Sequence, residues 1–232
     1  MINILMRTSQ RPKAFSNVLH SIINQKNPDG TSFTDFNLLL HVDSDETFEY
    51  VNSFMADYNK EHEVLKLQNM VRRKEPLPRE HAKRFIGDPN IGFEFYHAPY
   101  NLYENALMEL VQDGYIMYLD DDDLFVHDLA LFTISNEFKH QADCLLLWKV
   151  NIEGNLVPES EYWMQPPEIA HISGIGFAFP VKYKTVVKWD EFSCSDYRIA
   201  KNLWDTIKLK VFIDEALTRT QKVGYGDRKD IS

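Results

Sequence analysis

The 232-residue chain contains only two cysteines, Cys144 and Cys194. They stand far apart and make no metal-ligand spacing, so the sequence indicates neither a zinc site nor a disulfide scaffold. A reducing, cytoplasmic setting is the expectation. Glycine is also sparse, and no Gly-x-Gly-x-x-Gly or Gly-Lys-Ser/Thr loop occurs, which removes the usual dinucleotide and P-loop readings. No apolar run is long enough to span a bilayer. Arg7 interrupts the apolar start, so no signal-peptide pattern is present. Basic residues are outnumbered: 25 Lys and Arg face 35 Asp and Glu, for a net charge of −10. That balance disfavours binding along a nucleic-acid backbone, which needs clustered positive charge.

What remains reads as one globular α/β domain over residues 1–232. Aromatics make up 13% of the chain and charged residues 26%, enough apolar side chain for a core of this length. Met1–Met6 is a short buried strand. Pro12 suits the first turn of a helix, and Phe15, Val18, Leu19, Ile22 and Ile23 follow at helical spacing. Asn37–Val42 is a second strand, followed by a helix over Glu46–Tyr58. Strand–helix–strand–helix predicts a mostly parallel sheet flanked by helices. Residues 60–90 read as a polar, basic surface excursion. Phe93–Tyr96, Tyr115–Leu119, Asp143–Ile152, Gly174–Phe179 and Leu209–Ile213 read as strands. Leu102–Gln112, Val126–Lys139 and Asp196–Ile207 read as helices, the first with Tyr103, Leu107, Leu110 and Val111 on its apolar face. Residues 153–168 read as a loop and 221–232 as a polar tail.

Four consecutive carboxylates, Asp120–Asp123, end the apolar run Tyr115–Leu119. Like charges repel, so a strand end tolerates them best beside a cation, and carboxylates favour hard ions such as Mg²⁺ or Mn²⁺. The plain alternative is a solvated acidic turn capping the next helix. Two further polar clusters, Thr8–Arg11 and Asp43–Asp45, also follow strands. In an open α/β sheet, ligands bind beyond the carboxyl ends of the strands. Parallel strands would put all three clusters on one edge.

The run Ile4-Leu5-Met6-Arg7-Thr8-Ser9-Gln10-Arg11-Pro12, the helix ending Ser21-Ile22-Ile23-Asn24-Gln25, Leu40-His41-Val42-Asp43-Ser44-Asp45, and Asn101, Asn105 and Gly114–Asp123 together resemble family 2-type glycosyltransferases with the GT-A fold. The resemblance covers residues 1–130 and continues more weakly through Gly174–Phe179 and Ser195-Asp196. It implies a nucleotide site at the carboxyl ends of the strands. Thr8 and Arg11 would lie near base and ribose, with Asn105 beside them, and Asp43 would accept from the base. Asp120 and Asp122 match the Asp-x-Asp motif, with Asp120 near the ribose and Asp122 on the metal. Asp123 matches the extra acid that often follows, and Asp121 with Asp123 is the alternative register. Glu104 stands where many relatives carry a basic residue facing the diphosphate.

The implied function is a metal-dependent, inverting glycosyltransferase. It would use Mn²⁺ or Mg²⁺ and a nucleotide-diphosphate sugar, UDP-sugar first, to glycosylate a hydroxyl of a glycan or other acceptor. Direct displacement needs a base for that hydroxyl. Asp196 matches the acid of the Glu-Asp motif of inverting relatives, with Ser195 in place of the glutamate, and Asp190 and Glu191 compete for the role. Tyr162, Trp163 and His171 can equally contact acceptor or cover the core. Two other functions stay open: a nucleotidyltransferase making sugar nucleotides, and a noncatalytic glycan-binding module.

Overall fold

The computed structural model describes residues 1–62, 69–86 and 93–221. β1 (Ile2–Thr8) lies centrally, with β2 (Phe36–Val42) parallel on one side and β6 (Tyr115–Tyr118) parallel on the other. The sheet order is β3-β2-β1-β6-β10-β8-β11-β7, where β3 is Met70–Arg72, β7 Asp123–Phe125, β8 Cys144–Ile152, β10 Phe177–Pro180 and β11 Leu209–Thr220. β10 runs antiparallel between β6 and β8, β8 and β11 are parallel, and β7 is an antiparallel edge. β9 (Asn155–Val157) forms a hairpin with β8, and β4 (Arg84–Ile86) pairs with β5 (Glu94–Tyr96) as a separate ribbon.

The sheet is buried on both faces, because successive side chains on each strand go to opposite sides. Ile4 and Met6 of β1, with Leu38 and Leu40 of β2, pack against Phe15, Val18 and Leu19 of α1 (Pro12–Ile23) and Val51 of α2 (Asp45–His62); Ile134 and Phe138 of α4 (Ala130–His140) join that core. Leu5 and Leu39 join the other core, with Leu107 and Met108 of α3 (Leu102–Leu110) and Ile199 and Leu203 of α5 (Ser195–Thr206). Pro12 opens α1 where no N–H partner is needed.

Several elements depart from the sequence reading. The excursion at 60–90 contributes β3, which pairs with β2 in register Leu40↔Met70, and β4 of the ribbon. Residues 123–125 form a strand, because β11 runs on through Thr220 and pairs Thr220 with Asp123, and the helix expected from Val126 begins at Ala130. Gly174–Gly176 is a 3-10 turn, and the strand begins at Phe177. Leu110 is 40% exposed, since α3 ends there. Gln221, assigned to the tail, is buried, while 222–232 lie outside the described residues.

Candidate active site

Strand alternation sorts the acidic run. Ile116 and Tyr118 of β6 face the α3–α5 core, and Met117 and Leu119 face the α1–α2 core. The same alternation carries Asp120 to the side of Arg7, and Asp121 to the side of Thr8 and Arg11. Arg7 grips Asp120 with its fork: Nε lies 2.8 and 2.9 Å from the two carboxylate oxygens, and Nη2 is 2.5 Å from Oδ2. Thr8 Oγ1 and the Ser9 N–H donate to Asp121 Oδ2 at 2.9 and 3.0 Å. Arg11 Nη1 reaches Asp121 Oδ1 at 2.9 Å and Asp122 Oδ2 at 2.6 Å. Asp123 turns back, and its Oδ2 accepts the Asp120 N–H at 3.1 Å.

Three of the four carboxylates therefore meet the two guanidiniums, and Asp123 bonds the main chain instead. Glu104, 1% exposed, adds a fifth acid 3.9 Å from Arg7. Its Oε2 has no hydrogen-bond partner among the described residues, and burial with the nearby Asp120 pushes its carboxyl up to about 8. Burial likewise pushes Asp121 up to about 7 despite Arg11, and holds Asp122 and Asp123 above the usual carboxylate range, with neighbouring aspartates adding to the effect. Fully ionised, these five acids would exceed the charge of the two arginines, and the raised carboxyls reflect that excess. One oxygen each from Asp120, Asp122 and Asp123 lies within 4.8 Å of the others. Opposite oxygens around a Mg²⁺-sized ion, with bonds of about 2.1 Å, stand about 4.2 Å apart. In charge, ligand type and spacing, these residues fit a hard divalent cation.

Around this cluster, Thr8 also bonds the Tyr50 hydroxyl at 2.7 Å. Asp43 is buried at the end of β2, where its Oδ1 accepts from Thr47 Oγ1 at 3.0 Å. Gln221 closes the rear of the acidic loop. Its Nε2 donates to the carbonyls of Asp121 and Ala14, and its N–H donates to the Asp122 carbonyl. Asn105, expected near the nucleotide, spends both ends of its amide on the main chain of Trp189, at 2.8 and 3.0 Å.

Asp196 sits in the first turn of α5. Its oxygens accept the N–H groups of Gly174 at 3.1 Å and Tyr197 at 2.9 Å. Burial lifts its carboxyl above the ordinary range against those two bonds. The two competitors each pair with a basic side chain: Arg198 forks onto Asp190 at 2.6 Å, and Lys83 reaches Glu191, which also lies 3.3 Å from His97 Nε2. Among the described residues, Asp196 makes no such ion pair. His171 stacks on Tyr162 at 3.5 Å and Trp163 meets Phe212 edge-on, so this segment covers the β8–β11 face. Arg72 pairs with Asp45.

The sequence reading assigned no role to Arg7, Tyr50, Asn101, Glu104 or Gln221. The Arg7–Asp120 pairing extends the register of β1 with β6, in which Leu5 pairs with Tyr118, two residues beyond the end of β6. Gln221 had no signal, since it follows a strand whose length the sequence hides.

No protein-family model matches the chain, and no curated protein matches it. Solved structures do. Residues 1–349 of TarS from S. aureus superpose with a TM-score of 0.65 at 15% identity, over 95% of this chain and 60% of that one. The same TarS fragment in complex with UDP-GlcNAc gives 0.65 at 14%, over 97% and 59%. The mannosyltransferase PcManGT from Pyrobaculum calidifontis, in complex with GDP-Man and Mn²⁺, gives 0.63 at 12%, over 97% and 58%. The chain thus spans about three fifths of the TarS 1–349 fragment and of PcManGT, and 36% of the longer TarS structure. At such identities the likeness concerns the fold. That fold is of the GT-A glycosyltransferase type, an α/β domain with a mostly parallel central sheet between helices.

Proposed function

We propose that the chain is a metal-dependent glycosyltransferase that takes a nucleotide-diphosphate sugar. The observation that carries this reading is the cluster of Asp120, Asp122 and Asp123 at the carboxyl end of β6, in a GT-A fold, one strand away from Asp43 across β1. Asp122 and Asp123 would hold the divalent cation, with Asp120 beside them. A cation held by these residues would supply positive charge to the leaving diphosphate. Thr8, Arg11 and Asp121 form the wall beside it, and Asp43 accepts a hydrogen bond from an N–H of the base. UDP-sugar is the first donor to test. A uracil N–H suits an acid at this position, and UDP-GlcNAc is the ligand of one structural neighbour.

Asp196 is the proposed general base. Its raised pKa brings a carboxylate nearer to neutral pH, where a base works best. It would take the proton of the acceptor hydroxyl as that oxygen attacks the anomeric carbon and the C–O bond to the diphosphate breaks, inverting configuration. The acceptor is a glycan or other hydroxyl compound.

The test is incubation with UDP-, GDP- and dTDP-sugars and Mn²⁺, following release of nucleoside diphosphate with and without glycan acceptors. Release that depends on Mn²⁺ supports the reading. Pyrophosphate release from a nucleoside triphosphate plus a sugar phosphate would show a nucleotidyltransferase instead, and binding without any turnover would show a glycan- or nucleotide-binding module.

A further inference from the structure

The acidic loop and the candidate base lie on different elements, and one buried amide joins them. We propose that Asn101 is a positioning residue that locks the turn at residues 190–195, and with it Asp196, to Arg7 and the acidic loop. Its catalytic consequence rests on the glycosyltransferase reading, whereas its geometry does not.

Asn101 ends the 3-10 turn Pro99–Asn101 and is 5% exposed. Its Oδ1 accepts from Arg7 Nη1 at 2.9 Å, and its Nδ2 donates to the Phe192 carbonyl at 2.7 Å. The other nitrogens of Arg7 hold Asp120, and its guanidinium lies 4.9 Å from the Tyr100 ring centroid. Arg7 therefore has one direction left for Nη1, and Asn101 fills it. On the far side, the turn is stiff. The Phe192 N–H donates to Asp190 Oδ1 at 2.9 Å, and the Asp190 N–H donates to Ser195 Oγ at 3.1 Å. Arg198 forks onto Asp190 and also donates to the carbonyls of Phe192 and Ser193. A shift at Phe192 is thus carried to Ser195, and Asp196 is the next residue.

The chemistry of the link demands an amide. One end must accept from a guanidinium and the other must donate to a carbonyl. Asparagine offers both on a short side chain, and a carboxylate offers only acceptors. Asn101→Asp therefore keeps the bond to Arg7 and sets an oxygen against the Phe192 carbonyl, cutting the chain at one defined point. Buried bonds of this kind are costly to leave unmade.

The experiment compares wild type and Asn101→Asp by amide hydrogen exchange and by sugar-transfer kinetics. Exchange at residues 192–196 should rise about tenfold, the effect of losing one buried hydrogen bond, while β8 keeps its protection. Turnover at saturating donor should fall at least about tenfold, with donor KM changing less than about twofold. Unchanged exchange at 192–196 would overturn the link. A loss of donor affinity with normal saturated turnover would overturn it too, placing Asn101 in the donor pocket. If wild type transfers no sugar from any donor, the glycosyltransferase reading fails, and the exchange result still decides the link. Should Asn101→Asp not fold, Asn101→Ala removes both bonds without burying a new charge and gives the same exchange readout.

Discussion

In the proposed site, Asp196 and Asp43 would put one chemical group to two different tasks. Asp196 accepts two main-chain N–H bonds and has no cation paired to it among the described residues. Asp196→Asn is close in shape, yet it cannot take a proton at neutral pH. Turnover should fall by roughly 10²–10⁴-fold with donor affinity intact. Near-normal turnover in this variant, with collapse in Asp190→Asn or Glu191→Gln, would move the base to that neighbour. The pH dependence follows from the raised pKa. A base works deprotonated, so the acidic limb of the turnover profile should lie above the ordinary carboxylate range and vanish in Asp196→Asn. The sign for stability is opposite to that of a salt-bridged acid. The folded state holds this proton more tightly than the unfolded chain, so stability falls as pH rises from the unfolded pKa through the folded one. Asn therefore costs no charge-related stability at neutral pH. Asp43 instead faces the base in the proposed site. Asp43→Ala should weaken nucleotide binding by about 1.5–3 kcal/mol, as expected for one charge-assisted hydrogen bond, and leave the metal dependence unchanged. Wild-type affinity in calorimetry would place the base elsewhere.

Elements were legible where their periodicity was set by burial. β1, β2 and β6 are buried on both faces, and α1 shows one apolar stripe, so their apolar residues mark them directly. The three polar clusters after those strands were legible for the same reason, and parallel pairing brings them to one edge. The second half of β11 was not. Beyond Ile213 it carries Asp214, Glu215, Thr218 and Arg219, and its pairing with β8 shifts register there, so no clean alternation survives. β3 has only three residues, and its strand character comes from the β2 edge it joins. This hidden length of β11 delivers Gln221 to the back of the acidic loop. Gln221→Ala removes side-chain donors from the carbonyls of Asp121 and Ala14. It should lower stability by about 1–3 kcal/mol in denaturant unfolding, since buried acceptors lose their partner. An unchanged midpoint would mean that water replaces the amide.

The whole molecule is acidic, at −10, and its most buried charge cluster is acidic too. Among the described residues, Arg7 and Arg11 are the basic side chains that reach the acidic run, and both are taken up by it. A second anion, such as a diphosphate, meets repulsion there unless a cation bridges the two. No helix among the described residues is long and apolar enough to cross a membrane. In the proposed function, the nucleotide is held through a metal on the acidic loop. Calorimetric titration of UDP with Mn²⁺ and with EDTA, using wild type and Asp122→Asn, decides this. Clear binding with Mn²⁺, weak binding in EDTA, and loss of the Mn²⁺ enhancement in a folded Asp122→Asn protein are expected. Equal UDP affinity with Mn²⁺ and with EDTA would rule a bridging metal out.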